Sequence, residues 1–238
     1  TRSPNFNFIL FRSIFNHYNW YNQDLKDQKT SNVHFNIAYK DLIKISADYY
    51  ILDNYTYFKE TTNSLIGETD VKRLASPFQA PGQIKYYKIK IENHNSVGKF
   101  SIINTTQYQK KEQNNLDTNE LPTLNVPEWV TRNTLLYSNS IFNNSLFLQT
   151  GITFNFFTKF YADYYNPLLS EFVTQNYKEI GEYPRFDFFV NATIQNTRIF
   201  IKVEHLNSSF TGYDYYSDPF NPYRDLSVRF GVVWNFFE

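Results

Sequence analysis

The chain has 238 residues, a formal net charge of zero and no cysteine or methionine. That length suits one large domain or two small ones, zero net charge argues against a nucleic-acid partner, and the lack of cysteine excludes a disulfide framework and thiol chemistry. Aromatics reach 20% while mean hydropathy is −0.52, and no run of about twenty apolar residues exists to form a transmembrane helix, although a transmembrane barrel would leave only period-2 alternation.

The chain opens on TRSPNF, with neither signal peptide nor initiator, which marks a processed chain or one part of a longer protein. Residues 6–18 are rich in aromatic and β-branched side chains and predict a first strand. In VHFNIAY, Val33, Phe35, Ile37 and Tyr39 oppose His34, Asn36 and Ala38. In IKISADYYI, Ile43, Ile45, Ala47, Tyr49 and Ile51 oppose Lys44, Ser46, Asp48 and Tyr50. Residues 84–92, 99–109 and 129–137 alternate less cleanly but have strand composition. In SLFLQTGITFNFFTKF, Leu146, Leu148, Ile152, Phe154, Phe156 and Phe160 oppose Gln149, Gly151, Thr153, Asn155 and Lys159. RFDFFVNATI and RIFIKVEHL continue the pattern, and LSVRFGVVWNFFE closes the chain with Leu226, Val228, Phe230, Val232, Trp234 and Phe236 on one side. Period-2 patterning of this kind means a sheet with one apolar and one polar face. The count is about ten strands in a single domain, 1–238, as an antiparallel meander.

The connections alternate in length. Residues 40–42, 93–98, 139–144 and 195–197 are short; 53–83, 110–128, 161–184 and 207–225 are long; only the first long-end connection, 21–29, is modest. In an up-and-down sheet alternate connections lie at opposite ends, so one end carries tight turns and the other bulky loops. Outer-membrane barrels have that asymmetry, with short turns on the periplasmic side. An even strand count then puts both termini at the periplasmic face. Pro and Gly in the long loops are expected to stop further pairing there. The loop 53–83 is a candidate inward plug or exposed cap.

The direction of the two faces decides the class. Long strands suit a tilted bilayer crossing, and aromatics gather at strand ends (Tyr49, Tyr50, Tyr55, Tyr57 and Phe58 at one, Phe156, Phe157, Phe160 and Tyr161 at another), as in interfacial girdles. The expectation is therefore an all-β transmembrane antiparallel up-and-down barrel with its apolar residues outward. Its lumen wall would carry Lys44, Asp48, Lys88, Lys90, Glu92, Arg132, Asp187, Arg198, Lys202, Glu204 and Arg229, either as a selective pore lining or as charges paired across strands. A soluble sandwich with the apolar set inward is the structural alternative.

Nothing in the chain predicts catalysis. His17, His34, His94 and His205 are scattered without metal-ligand spacing. Glu204 and His205 are strand neighbours and should point to opposite faces. No Gly-rich phosphate loop occurs among seven glycines, and Asn-X-Ser/Thr matches such as those at Asn54, Asn191 and Asn207 are expected by chance in so Asn-rich a chain. No enzyme activity, cofactor or metal is expected.

From Asn125 onward the chain resembles the C-terminal part of the "putative porins" of Bacteroidetes, large outer-membrane β-barrels. The likeness lies in NVPEWVTRNTLLYSNSIFNNSLFLQTGITFNFFTKFYADYYNPLLSEF, YPRFDFFVNATIQNTRIFIKVEHLNSSFTGYDYYSDPF and YRDLSVRFGVVWNFFE, with SPNFNFILFRSIFNHYNWYN and LDNYTYF similar as well. It covers most of the chain and brings no catalytic motif. Family members are much longer, so the chain looks like the C-terminal portion of a larger barrel, with a natural short barrel as the alternative. The resemblance also implies a diffusion channel in the bacterial outer membrane, facing lipid and lipopolysaccharide, inserted by the barrel-assembly machinery and open to other outer-membrane proteins as partners. The tip Phe230, Val232, Trp234, Phe236 and Phe237 resembles the C-terminal signal by which such barrels are recognised for insertion. The alternative is a closed barrel that binds or scaffolds another protein. Strand number separates these, because it sets diameter.

Overall fold

The computed structural model describes residues 22–63, 72–114, 122–210 and 215–235. All its regular structure is β-strand, in chain order β1 (Lys29–Tyr39), β2 (Ile43–Asp53), β3 (Thr56–Asn63), β4 (Lys72–Gln79), β5 (Ile84–Val97), β6 (Phe100–Gln113), β7 (Trp129–Ile141), β8 (Leu146–Phe157), β9 (Tyr164–Asn166), β10 (Glu171–Thr174), β11 (Arg185–Ile194), β12 (Thr197–Glu204) and β13 (Ser227–Trp234). Nine form one sheet in the order β1-β2-β5-β6-β7-β8-β11-β12-β13. Every neighbouring pair in it is antiparallel, so the chain meanders across the sheet as predicted. Each strand expected after residue 28 is present. The strand expected at 6–18 lies outside the described residues. Among the described residues the sheet is open, with β1 and β13 at its edges.

The turns at the short end are tighter than their composition suggested. β5 runs to Val97 and β6 begins at Phe100, so the turn is Gly98 and Lys99 rather than 93–98. Asn93, His94, Asn95 and Ser96 read as loop by polarity, but they pair in register with Asn104, Ile103, Ile102 and Ser101. Gly98 takes φ 60°, the left-handed turn conformation glycine allows cheaply. Lys40, Asn143, Asn144 and Gln195 adopt positive φ at the other three short turns.

The long loops do pair, which corrects the expectation that Pro and Gly would stop them. β3 and β4 arise in the connection 54–83, β9 and β10 in 158–184, and the four form a second sheet ordered β4-β3-β10-β9. Val173 of β10 pairs in parallel with Phe58 of β3. Pro77 sits on β4, an edge strand, where a missing N–H costs no ladder bond. This small sheet holds the cluster of buried apolar side chains, Phe58, Ala75, Tyr164, Leu169 and Val173. Phe58 is thus core, not part of an aromatic girdle.

Candidate functional site

Register and alternation sort the main sheet into two faces. All eleven residues proposed for a pore wall fall on one of them. Lys44 pairs with Glu92, Glu92 with Thr105, and Thr105 with Arg132. Asp48 pairs with Lys88, and Lys90 lies between Lys88 and Glu92. Asp187, one step along β11 from the pair Phe188–Val203, stands beside Glu204, which pairs with Ser227. Lys202 pairs with Arg229, and Arg198 with Thr193. Arg185 belongs to the same face, and continuing the alternation two residues back from Asp187 would have found it.

The other face is apolar and exposed. On β1, Val33, Phe35, Ile37 and Tyr39 are more than half exposed, and on β13 so are Val228, Phe230, Val232 and Trp234. A row of exposed large apolar side chains across a whole sheet implies a non-aqueous neighbour. Aromatic pairs bound it at both ends. Tyr49 stacks on Tyr87 at 4.9 Å and Tyr108 meets Trp129 at 4.8 Å toward the long loops, while Phe100 meets Tyr137 at 5.2 Å beside a short turn. Phe100 and Tyr108 on β6 are separated by about 27 Å of extended strand, close to the height of a lipid-facing band once strand tilt is allowed for. One polar island interrupts this face. Asn104 donates to Asn133 and, at 3.2 Å, to Thr106; Asn133 donates to Thr131 at 3.0 Å; the Thr106 and Thr131 hydroxyls are 2.9 Å apart. The weak alternation of 99–109 and 129–137 comes from this island.

The charged face is laced with ion pairs. Asp48 lies 2.7 Å from His34 Nδ1 and 3.0 Å from Lys88 Nζ. Glu92 lies 2.7 Å from Lys90, and Glu204 is 2.7 Å from Lys202 and 2.9 Å from Arg229. A cleft of about 870 Å³ runs along this face and is lined from Thr105 and Arg132 to Lys202, Glu204 and Arg229. Those residues span β6 to β13, so the sheet curls toward its charged face. Two glycines accept rings there: a Cβ on Gly151 would meet Leu135 O at 2.4 Å and Phe189 at 2.9 Å, and one on Gly231 would meet the Phe200 ring at 2.6 Å. Phe189 and Phe200 are their cross-strand partners, the pairing known as aromatic rescue.

At the long-loop end this face is covered. Gln109 donates to Pro127 O at 2.6 Å, Lys111 to Leu124 O and to Asn125 Oδ1 at 3.1 Å, and Gln113 accepts from the Thr123 N–H at 3.1 Å. Asn125 in turn donates toward Gln175 O at 3.3 Å and Asp163 at 3.5 Å, tying this loop to the one that carries β9 and β10. Tyr164 packs edge-on against Phe220, and Arg185 lies 4.5 Å over the Tyr223 ring, so the last long loop joins as well. Ile84 beneath is wholly buried. The described part of loop 53–83, paired through β3 to β10, is therefore part of a shared cap at the charged face, an arrangement no local pattern announces.

Burial shapes the chemistry of this cap. It raises the Asp163 carboxyl above its ordinary range, against the hydrogen bonds from Asn125 and Thr174 and the charge of Lys111. Burial first, then the Asp163 charge, raises the Tyr55 phenol. Burial pushes Tyr183 up to about 12, so it remains a neutral donor to the Tyr216 carbonyl. His205 leaves the strand at its end, so it does not oppose Glu204 across the sheet. Positive φ takes it off the strand alternation, its ring packs against Tyr215 and Tyr223, and Nδ1 lies 2.7 Å from Arg224 O. It is a cap residue. Among the described residues no cluster of His, Asp and Glu is arranged to hold a metal. Phe230, Val232 and Trp234 are on the exposed apolar face, and Phe236 and Phe237 lie outside the described residues.

An antiparallel meander with one exposed apolar face, one charged face curled inward, tight turns at one end and folded loops at the other is consistent with the wall of a β-barrel of porin type. The family model described as "Putative porin" matches residues 1–238, and the chain belongs to that family. Membership implies an outer-membrane location and suggests a channel-type protein. No curated protein matches the chain.

Proposed function

We propose that this chain contributes the C-terminal portion of a transmembrane β-barrel through which small solutes diffuse passively across the bacterial outer membrane. The observation that carries the reading is the segregation of the nine-stranded sheet: every charge proposed for the wall falls on its curled face, and an apolar band bounded by aromatic pairs covers the other. Such a face needs lipid, and such an interior needs water. Transport then requires no covalent step. It needs a hydrated lumen, charged walls and a constriction, for which the loop cap is the natural candidate.

In this reading the short turns and both termini face the periplasm, and lipid and lipopolysaccharide surround the apolar band. Phe230, Val232, Trp234, Phe236 and Phe237 form the signal read by the barrel-assembly machinery. The nine described strands form an open sheet and do not by themselves enclose a water channel, so in this reading further strands complete the wall. The test is single-channel recording with the full-length protein in planar bilayers. Discrete conductance steps support the channel; their complete absence overturns it.

One observation favours a second reading. The cap has its own buried core and is tied to the charged face through Lys111, Asn125 and Asp163. A cap held this firmly also suits a closed barrel that acts as a binding or scaffold partner in a membrane complex. Conductance that appears only after residues 56–79 are replaced by a short Gly-Ser linker would select the closed form.

A further inference from the structure

The charged face is not electrically balanced. Within its strands four carboxylates lie on that face, Asp48, Glu92, Asp187 and Glu204, and cations already hold all of them. Asp48 is shared by His34 and Lys88, Glu92 is held by Lys90, and Glu204 lies between Lys202 and Arg229. Asp187 sits 3.6 Å from Arg185 and accepts the His205 backbone N–H at 3.0 Å. The cations are not used up. Lys44 stands across from Glu92, whose carboxylate is turned to Lys90. Arg132 lines the cleft, and Arg198 stands on β12 two pairs from the short turn. Among the described residues none of Lys44, Arg132 and Arg198 makes an ion pair. The whole chain is neutral, so this surplus is a property of one face and not of composition.

Fixed charge of one sign on the wall of a narrow, low-dielectric passage concentrates counter-ions and repels co-ions. Paired charges contribute little to that field, because their potentials cancel within a few ångströms; unpaired ones set its sign. We infer that the wall formed by this chain favours small anions, inorganic or carboxylate- and phosphate-bearing, over cations of the same size, and that Lys44, Arg132 and Arg198 supply the uncompensated field. The inference rests on the channel reading above.

The test is the reversal potential of the full-length protein in planar bilayers under a KCl gradient. The expected result is a chloride-to-potassium permeability ratio above one that declines toward one as salt is raised, since screening shortens the reach of the wall charges. Replacing Lys44, Arg132 and Arg198 together by Gln should lower that ratio at least about two-fold, while Arg132→Lys, which keeps the charge, should leave it unchanged. Conductance with a ratio of one or below overturns the anion preference and leaves the channel standing. An anion preference that survives the triple replacement overturns the assignment to these three residues. No conductance from the parent protein sinks the channel reading, and the inference with it. Heat-modifiable migration in detergent gels, compared between parent and variant, separates a changed field from a barrel that failed to assemble.

Discussion

Asn104 and Asn133 face each other across β6 and β7 in the middle of a face otherwise dominated by apolar side chains. Their amides and the Thr106 and Thr131 hydroxyls satisfy one another, which is what allows polar groups to persist where no water competes. Removing one partner is therefore worse than removing both. Asn133→Leu should destabilise the assembled protein by about 1–2 kcal/mol, and the added cost of Asn104→Leu in that background should be smaller than its cost alone. Denaturant titration in detergent, run as a double-mutant cycle, measures the coupling. Additive losses would mean that the four groups do not act as a unit. Asp163 makes the opposite case, a charge buried in the cap. Its folded pKa lies above the ordinary value of 3.8. Cap stability is thus full below that ordinary value and is lost as pH rises from it through the raised folded one. Asp163→Asn should remove this loss, so that at pH 7 the cap of the variant exchanges its amide hydrogens more slowly than the parent's. Equal exchange at pH 7, or a surviving pH dependence, would count against it.

At the scale of elements, the two sheets are stabilised differently. The main sheet buries few large side chains; its strength lies in its continuous backbone ladders, which the proposed lipid setting would make indispensable. The loop-built sheet instead packs on a buried apolar cluster, five side chains among those described. Leu169 is 1% exposed in that core, and Leu169→Ala should cost about 2–3 kcal/mol, enough to open a unit this small. Limited proteolysis should then cut within β9 and β10 while the nine-stranded sheet stays resistant. Protection of both would show that the cap is held mainly by its ties to Gln109, Lys111 and Gln113. The strands of the main sheet were legible because alternation is local: each apolar residue at every second position reports the same two-sided environment. β3, β4, β9 and β10 were not. Each loop forms its own antiparallel pair, but what joins the two pairs into one sheet is non-local, Phe58 with Val173, and no stretch of either loop carries the other's pattern.

For the whole molecule, the C-terminal strand links assembly to architecture. Among the described residues β13 is an edge strand, and Val228, Phe230, Val232 and Trp234 stand exposed on it, an arrangement unsuited to water. Deleting residues 234–238 should block insertion, read as loss of the outer-membrane fraction, before any change in pore properties; normal insertion of the truncated protein would refute the signal. Alternation along the chain sufficed to establish an all-β meander, the membership of each strand's two faces, and the gathering of eleven charges on one of them, because a side chain's face depends only on its parity within a strand. Tertiary structure alone decided which carboxylates those charges meet, which cations are left over, and that the long loops fold together over the charged face. Those outcomes depend on register and on contacts between residues more than a hundred positions apart, and the physical chemistry of neighbouring residues does not encode them one segment at a time.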